Sequence, residues 1–155
     1  MEIEKKYLLK SGSWKKNIQR SEKIVQFYLT EPGHQPTLRL RAIDGQGYVT
    51  LKYPSKNADI LIREEYEYQI PIEDVLAQQR QAKGNIIEKT RHYVVAADQH
   101  IWEVDEFLSP DPLLVLAEIE LNEPDQNFEL PDWIGKDVTS DPEYSNLSLA
   151  FKNIK

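Results

Sequence analysis

The chain of 155 residues is 40% hydrophobic and 29% charged, the composition of one soluble globular domain long enough to bury a core. Its net charge of −7 argues against nucleic-acid binding through a basic surface, and the absence of cysteine excludes a disulfide framework and any thiolate metal site. The longest apolar run, LLVLA at 113–117, is far too short to span a membrane; position 2 is already glutamate with no apolar stretch behind it, so a cytoplasmic protein is expected.

In chain order, EIEKKYLL (2–9) alternates and reads as a first strand, and VQFYL (25–29) supplies a second. LRLRAI (38–43) and YVTLKY (48–53) flank DGQG, a short glycine-containing turn, and form a hairpin. LIREEYEYQI (61–70) is a long alternating strand closed by Pro71. IPIEDVLAQQRQA then turns helical, with Val75, Leu76 and Gln79 at helical spacing before KGN stops it. NIIEKTRHYVVA (85–96) and HIWEVDEFL (100–108) make a second hairpin around AADQ, and LVLAEIEL (114–121) follows the turn SPDP. Ser140 with Glu143 reads as a capping box, with Pro142 in the first turn, before a terminal helix with the apolar stripe Tyr144, Leu147, Phe151. About eight closely spaced strands with few helices suit a mainly β, α+β fold: a closed eight-stranded antiparallel barrel with flanking helices and a C-terminal helix, one domain over 1–155.

The alternation sorts charge. Glu2, Glu4 and Lys6 share one face, and its counterparts are Arg39/Arg41, Lys52, Arg63/Glu65/Glu67, Lys89/Arg91, Glu103/Asp105 and Glu118/Glu120. The reverse face holds Leu38, Leu40, Leu51, Tyr66, Tyr68, Trp102, Val104, Ile119 and Leu121. Residues at i and i+2 on one face stand roughly 7 Å apart, where like charges repel unless an opposite charge lies between them. A solvated surface mixes signs instead. Charges sorted in this way point to the interior of a barrel, as a water-filled tunnel whose apolar reverse is covered by helices or by another subunit. Paired carboxylates without cysteine or a histidine cluster suit hard cations such as Mg²⁺ or Mn²⁺, and rows of arginine and lysine suit phosphate oxygens. Both sets in one cavity point to a metal-complexed polyphosphate. His34, His92 and His100 read as surface or structural groups, Trp14, Trp102 and Trp133 as core or helix anchors, and Ser145 and Ser148 lack a partnered base. No glycine-rich phosphate loop is present.

Glu2-x-Glu4-x-Lys6, LRLR (38–41), TLK (50–52), REEYE (63–67), KTR (89–91), WEVDEF (102–107) and AEIEL (117–121) resemble, in their order, the motifs of the CYTH domain, the triphosphate tunnel metalloenzymes, and the length resembles the small bacterial tripolyphosphatase branch. The resemblance implies a closed tunnel that binds a triphosphate with divalent cations. It implies Glu2, Glu4, Glu118 and Glu120 as metal-holding carboxylates, with Glu65 and Glu67 completing the acid set at the metal, holding basic partners or orienting water, and Lys6, Arg39, Arg41, Lys52, Arg63, Lys89 and Arg91 as phosphate-binding groups. Asp105 would fix an arginine, and Lys136 would cap a tunnel mouth. Glu2, Glu4, Lys6, Arg41 and Glu67 are the expected catalytic set. The implied reaction is hydrolysis of a triphosphate, foremost inorganic tripolyphosphate to pyrophosphate and phosphate, by metal-activated water. A class IV adenylyl cyclase acting on ATP, a thiamine triphosphatase and a non-catalytic polyphosphate- or nucleotide-binding module share these contacts and stay open. No nucleic-acid or membrane partner is expected, and outward Tyr66, Tyr68 and Trp102 would permit a homodimer face.

Overall fold

The structure is a computed structural model that describes residues 2–54 and 61–152, without the side chains of residues 61 and 62. Met1 and 153–155, the ends of the expected domain, lie outside the described residues. The strands are β1 (Glu2–Leu9), β2 (Ile18–Tyr28), β3 (Thr37–Ile43), β4 (Gln46–Lys52), β5 (Leu61–Arg63), β6 (Glu65–Ile70), β7 (Lys83–Val95), β8 (Ile101–Ser109), β9 (Val115–Glu120) and β10 (Ile134–Asp137). The helices are α1 (Ile72–Gln78) and α2 (Asn146–Phe151). All strand pairings are antiparallel, in one 10-stranded sheet ordered β10-β1-β9-β8-β7-β2-β3-β4-β6, with β5 also on β1.

Ten strands replace the expected eight for local reasons. The segment 61–70 changes partner at Glu64: β5 lies on β1 (Glu2↔Arg63), whereas β6 lies on β4 (Lys52↔Glu65). β10 is a short edge strand on β1 whose few residues, one of them Gly135, carry no alternation to read. The hydrogen-bonded path therefore ends at β10 and β6. The β3–β4 hairpin turns on Asp44 (φ 46°) and Gly45 (φ 84°), the left-handed pair that a two-residue hairpin requires. The expected terminal capping box is not formed. Asp141 accepts from the Glu143 amide to cap a short 3-10 turn over Pro142–Tyr144, and Ser145 caps α2 by accepting from the Ser148 amide.

Apolar residues pack on both faces of the sheet. Outside, Phe27, Leu40 and Val49 are covered by α1 through Val75. This approach needs Gly47, because a Cβ there would stand 2.8 Å from the Ile70 carbonyl oxygen and 2.9 Å from Val75 Cγ2. The other outer patch (Tyr7, Val94, Trp102, Val104, Ala117, Ile119) lies under Trp14 and Trp133. Trp102 is fully buried, in edge-on contact with Tyr7, Phe128 and Trp133, so it belongs to this core and not to a free outer face. Tyr66 and Tyr68 are exposed.

The inner face is divided. One half carries the charges. The other half is an apolar core in which Tyr28, Ile87, Phe107 and Leu116 pack with Leu149 and Ala150 of α2 and with Val138. The polar space expected as a water-filled tunnel is a cavity over one half of the inner face, resting on an apolar floor. No helix among the described residues is long and apolar enough to cross a membrane.

Candidate active site

Cross-strand partners share a face, so the sheet register decides which charges meet. On β1 and β9, Glu4 stands directly opposite Glu120 and Lys6 opposite Glu118; on β8, Glu103 also stands opposite Glu118. Like charges directly opposed in a ladder are destabilising, and this wall repeats the arrangement twice. Across the cavity, β3 and β4 bring Arg39, Arg41 and Lys52 to the same face as Glu65 and Glu67 of β6. The enclosed space is about 300 Å³, lined by Glu2, Glu4, Glu118, Glu120, Arg39, Arg41, Lys52, Glu65, Glu67, Arg91 and Glu103 among others.

Ion pairs organise this charge. Lys52 Nζ lies 3.1 Å from Glu2 Oε1 and 3.5 Å from Glu65 Oε2, joining β1 to β6. Arg41 Nη2 donates to Glu67 Oε2 at 3.1 Å. Deeper, Asp105 is buried between two cations: Oδ1 accepts from Arg91 Nε at 2.8 Å, and Oδ2 accepts from Arg91 Nη2 at 3.0 Å and lies 2.8 Å from Lys89 Nζ. Arg91 Nη1 also stands 3.1 Å from Glu103 Oε2. Lys6 Nζ donates to the Tyr144 carbonyl at 3.0 Å and lies 3.6 Å from Glu118. Lys89 rests over the Phe107 ring, where the charged half meets the apolar floor.

The titration of the acids reflects these neighbours. Burial, with Glu118 and Glu2 close by, holds the Glu4 carboxyl well above the usual range. Burial also raises Glu118, but Lys6 and Arg91 outweigh it and hold that carboxyl low. The Glu4 and Glu118 carboxyls adjoin and titrate as a pair, Glu4 held high and Glu118 held low. Glu2 is brought down to about 2, because Lys52 overcomes its burial. Glu103 is pushed up to about 7 by burial, with Glu118 and Asp105 adding to it against Arg91. On the basic side, burial and the neighbouring Arg39 bring Arg41 down to about 10, and burial brings Lys89 to about 8 against Asp105.

Of the expected site residues, Lys6 and Lys89 lie behind the cavity wall at the floor. Arg63 lines a neighbouring pocket of about 220 Å³ that shares Lys52 and Asn146 with the first. Lys136 is exposed on β10 and lines neither pocket. The cavity also takes in Glu22, Ile43, Tyr48, Tyr93 and Asn146, which the charge pattern did not single out. Glu22 follows once β2 is extended back to Ile18, and Tyr93 continues the parity of Lys89 and Arg91. Asn146 comes from α2 and has no signal in strand alternation.

These carboxylates offer only hard oxygen donors. Among the described residues no three acids or histidines stand together closely enough to hold a metal ion as they are placed. The crowding of Glu4 by Glu118 and Glu2 is what a divalent cation would relieve, and the all-oxygen donor set fits a hard divalent cation.

The CYTH domain family matches residues 1–150. An inorganic triphosphatase of Acetivibrio thermocellus is 39% identical over 99% of this chain and 97% of its own length. An inorganic triphosphatase of Nitrosomonas europaea is 33% identical over 96% of each chain. A crystal structure of an inorganic triphosphatase, 33% identical, superposes with a TM-score of 0.66 over 97% of this chain and 94% of that one.

Proposed function

The chain belongs to the CYTH domain family, and on that premise we propose that it is a divalent-metal-dependent triphosphatase acting on inorganic tripolyphosphate. The observation that carries the reading is one cavity with two walls, like-charged carboxylates on β1, β8 and β9 facing arginines and a lysine on β3 and β4. We propose further that the sheet closes around this cavity through β5 and β6, with Lys52 bridging Glu2 and Glu65.

In this reading Glu2, Glu4, Glu118 and Glu120 would hold Mg²⁺ or Mn²⁺. Once bound, the ion supplies charge neutralisation and an activated water. Arg39 and Arg41 bind the phosphoryl oxygens and stabilise the charge that develops as the terminal anhydride bond breaks. Water oxygen becomes bonded to the terminal phosphorus, and pyrophosphate leaves as the second product. Lys52 stands at the passage towards Arg63 and steadies the remaining phosphates. Asp105 holds Arg91 and Lys89 in fixed orientation at the floor of the cavity. Glu65 and Glu67 anchor Lys52 and Arg41 until the ligand arrives.

The test is phosphate release from tripolyphosphate, ATP and thiamine triphosphate with Mg²⁺, with Mn²⁺ and with chelator. The expected result is chelator-sensitive release, fastest on tripolyphosphate, and abolished in a folded Glu4→Gln variant. Cyclic AMP from ATP would move the assignment to a cyclase, and tight binding without any release would make the chain a carrier.

A further inference from the structure

Arg39, Arg41 and Arg91 line the cavity, and they are backed in two different ways. Arg91 is held by two carboxylates, Asp105 and Glu103, at 2.8–3.1 Å. These acids offset its charge before any ligand arrives, with Asp105 shared between Arg91 and Lys89. Arg39 and Arg41 are also buried, but their strand neighbours are neutral. Gln26 on β2 stands directly opposite Arg41, and Thr50 on β4 directly opposite Arg39. Both neutral residues share the arginines' face and are buried to 1% exposure or less.

All four side chains have unspent hydrogen-bonding capacity. Both polar atoms of the Gln26 carboxamide, Thr50 Oγ1, Arg39 Nε and Arg41 Nε are buried without a hydrogen-bond partner among the described residues. Buried polar groups left unpaired are costly and rare. Here they occur as two matched sets on adjacent strands, each an N–H donor facing a side chain with an acceptor oxygen. Arg41 is tied instead to Glu67, whose side chain is 32% exposed and lies on the cavity side.

We propose that Gln26 and Thr50 are positioning residues that align Arg41 and Arg39 on the bound triphosphate without cancelling their charge. The proposal rests on the triphosphate reading of the cavity. When a phosphate draws Arg41 away from Glu67, Gln26 Oε1 accepts from Arg41 Nε, and both Nη groups are left for phosphoryl oxygens. Thr50 Oγ1 does the same for Arg39. A carboxylate in either place would hold the guanidinium as firmly, but would remove the net positive charge that attracts a polyanion. A neutral acceptor orients the fork and keeps its charge. The deeper Arg91, backed by acids, serves the architecture of the wall.

The experiment compares wild type with Gln26→Glu, Gln26→Met, Thr50→Val and Thr50→Ser. It reads KM and kcat for Mg²⁺-tripolyphosphate, direct binding of Mg²⁺-tripolyphosphate by calorimetry, and Tm. Gln26→Glu is expected to weaken binding by about tenfold or more and Gln26→Met by roughly threefold, with kcat changed less than KM. Thr50→Val should weaken binding by about threefold, and Thr50→Ser should restore it. A merely structural role reverses the order, because the carboxylate of Gln26→Glu would pair with Arg41 and be the better tolerated change. That reversal, or wild-type binding in folded Gln26→Glu, overturns the proposal. If the Gln26 variants do not fold, unchanged KM in Thr50→Val overturns it. If wild type binds tripolyphosphate but releases no phosphate, hydrolysis is refuted, and the binding series still decides the roles of Gln26 and Thr50.

Discussion

The inner face of this sheet has two halves built on the same strands. On β9, Glu118 and Leu116 are two residues apart; on β7, Lys89 and Ile87; on β8, Asp105 and Phe107. Each pair shares one parity and one face, yet the first member belongs to a charged site and the second to an apolar core. The apolar half is satisfied by contact: Leu116, Phe107 and Ile87 meet Leu149 and Ala150 of α2, which seats close to β7 because Gly84 (φ 74°) has no Cβ to meet the Ala150 carbonyl at 2.6 Å. The charged half keeps like charges opposed and buried donors unpaired. It carries the cost of groups arranged for something that arrives later, while the floor beneath supplies the stability that offsets it.

If the halves are joined through Asp105, removing its carboxylate has the largest effect. Asp105→Ala leaves Lys89 and Arg91 buried with their strongest partner gone, which costs about 3–5 kcal/mol as breaking a buried pair does. Chemical denaturation should show this loss together with loss of activity, and wild-type stability would mean that the cations find other partners. Leu149→Ala probes the floor alone. Truncating this buried leucine should cost about 2–5 kcal/mol in the same measurement, while turnover per folded molecule stays near wild type. If turnover falls in step with stability, the floor is part of the catalytic apparatus and the division of the inner face fails.

The division explains what could be read from the sequence. Alternation identified the charged face because Glu-x-Glu and Arg-x-Arg pairs stand out at a spacing of two, and strands form at each of them, the segment 61–70 being divided at Glu64. Leu8, Ile87, Phe107 and Leu116 continue the same parity, but an apolar residue on a charged face carries no mark of depth. Their role depends on α2 being seated against them, a contact between distant parts of the chain. Trp102 is the core anchor that its residue type suggests, but its outward parity gives no dimer face, since its cover comes from Phe128 and Trp133 in a stretch without strand periodicity. Gln26 and Thr50 are neutral and carry no mark in the charge pattern; only the ladder register sets them against Arg41 and Arg39.

The subtlest effect concerns protons in the charged half. Glu103 is held at about 7 by its burial and the nearby Glu118, against the attraction of Arg91. Between its ordinary value near 4.5 and 7, the folded chain therefore keeps a proton that the unfolded chain has lost. The contribution is present at low pH and is lost as pH rises through about 7, and the raised Glu4 works in the same direction. Glu2, Glu118 and Asp105 are held low, so their contributions act oppositely and are lost as pH falls through their folded values. Glu103→Gln removes one titration from this balance. Denaturation without divalent cations should show a shallower decline for the variant than for wild type between about pH 5 and 7. The apolar floor contains no such group, so Leu149→Ala should lower the whole curve without changing its slope. A slope altered equally by both substitutions would show that the two halves open together and that protons in the site report on the entire fold.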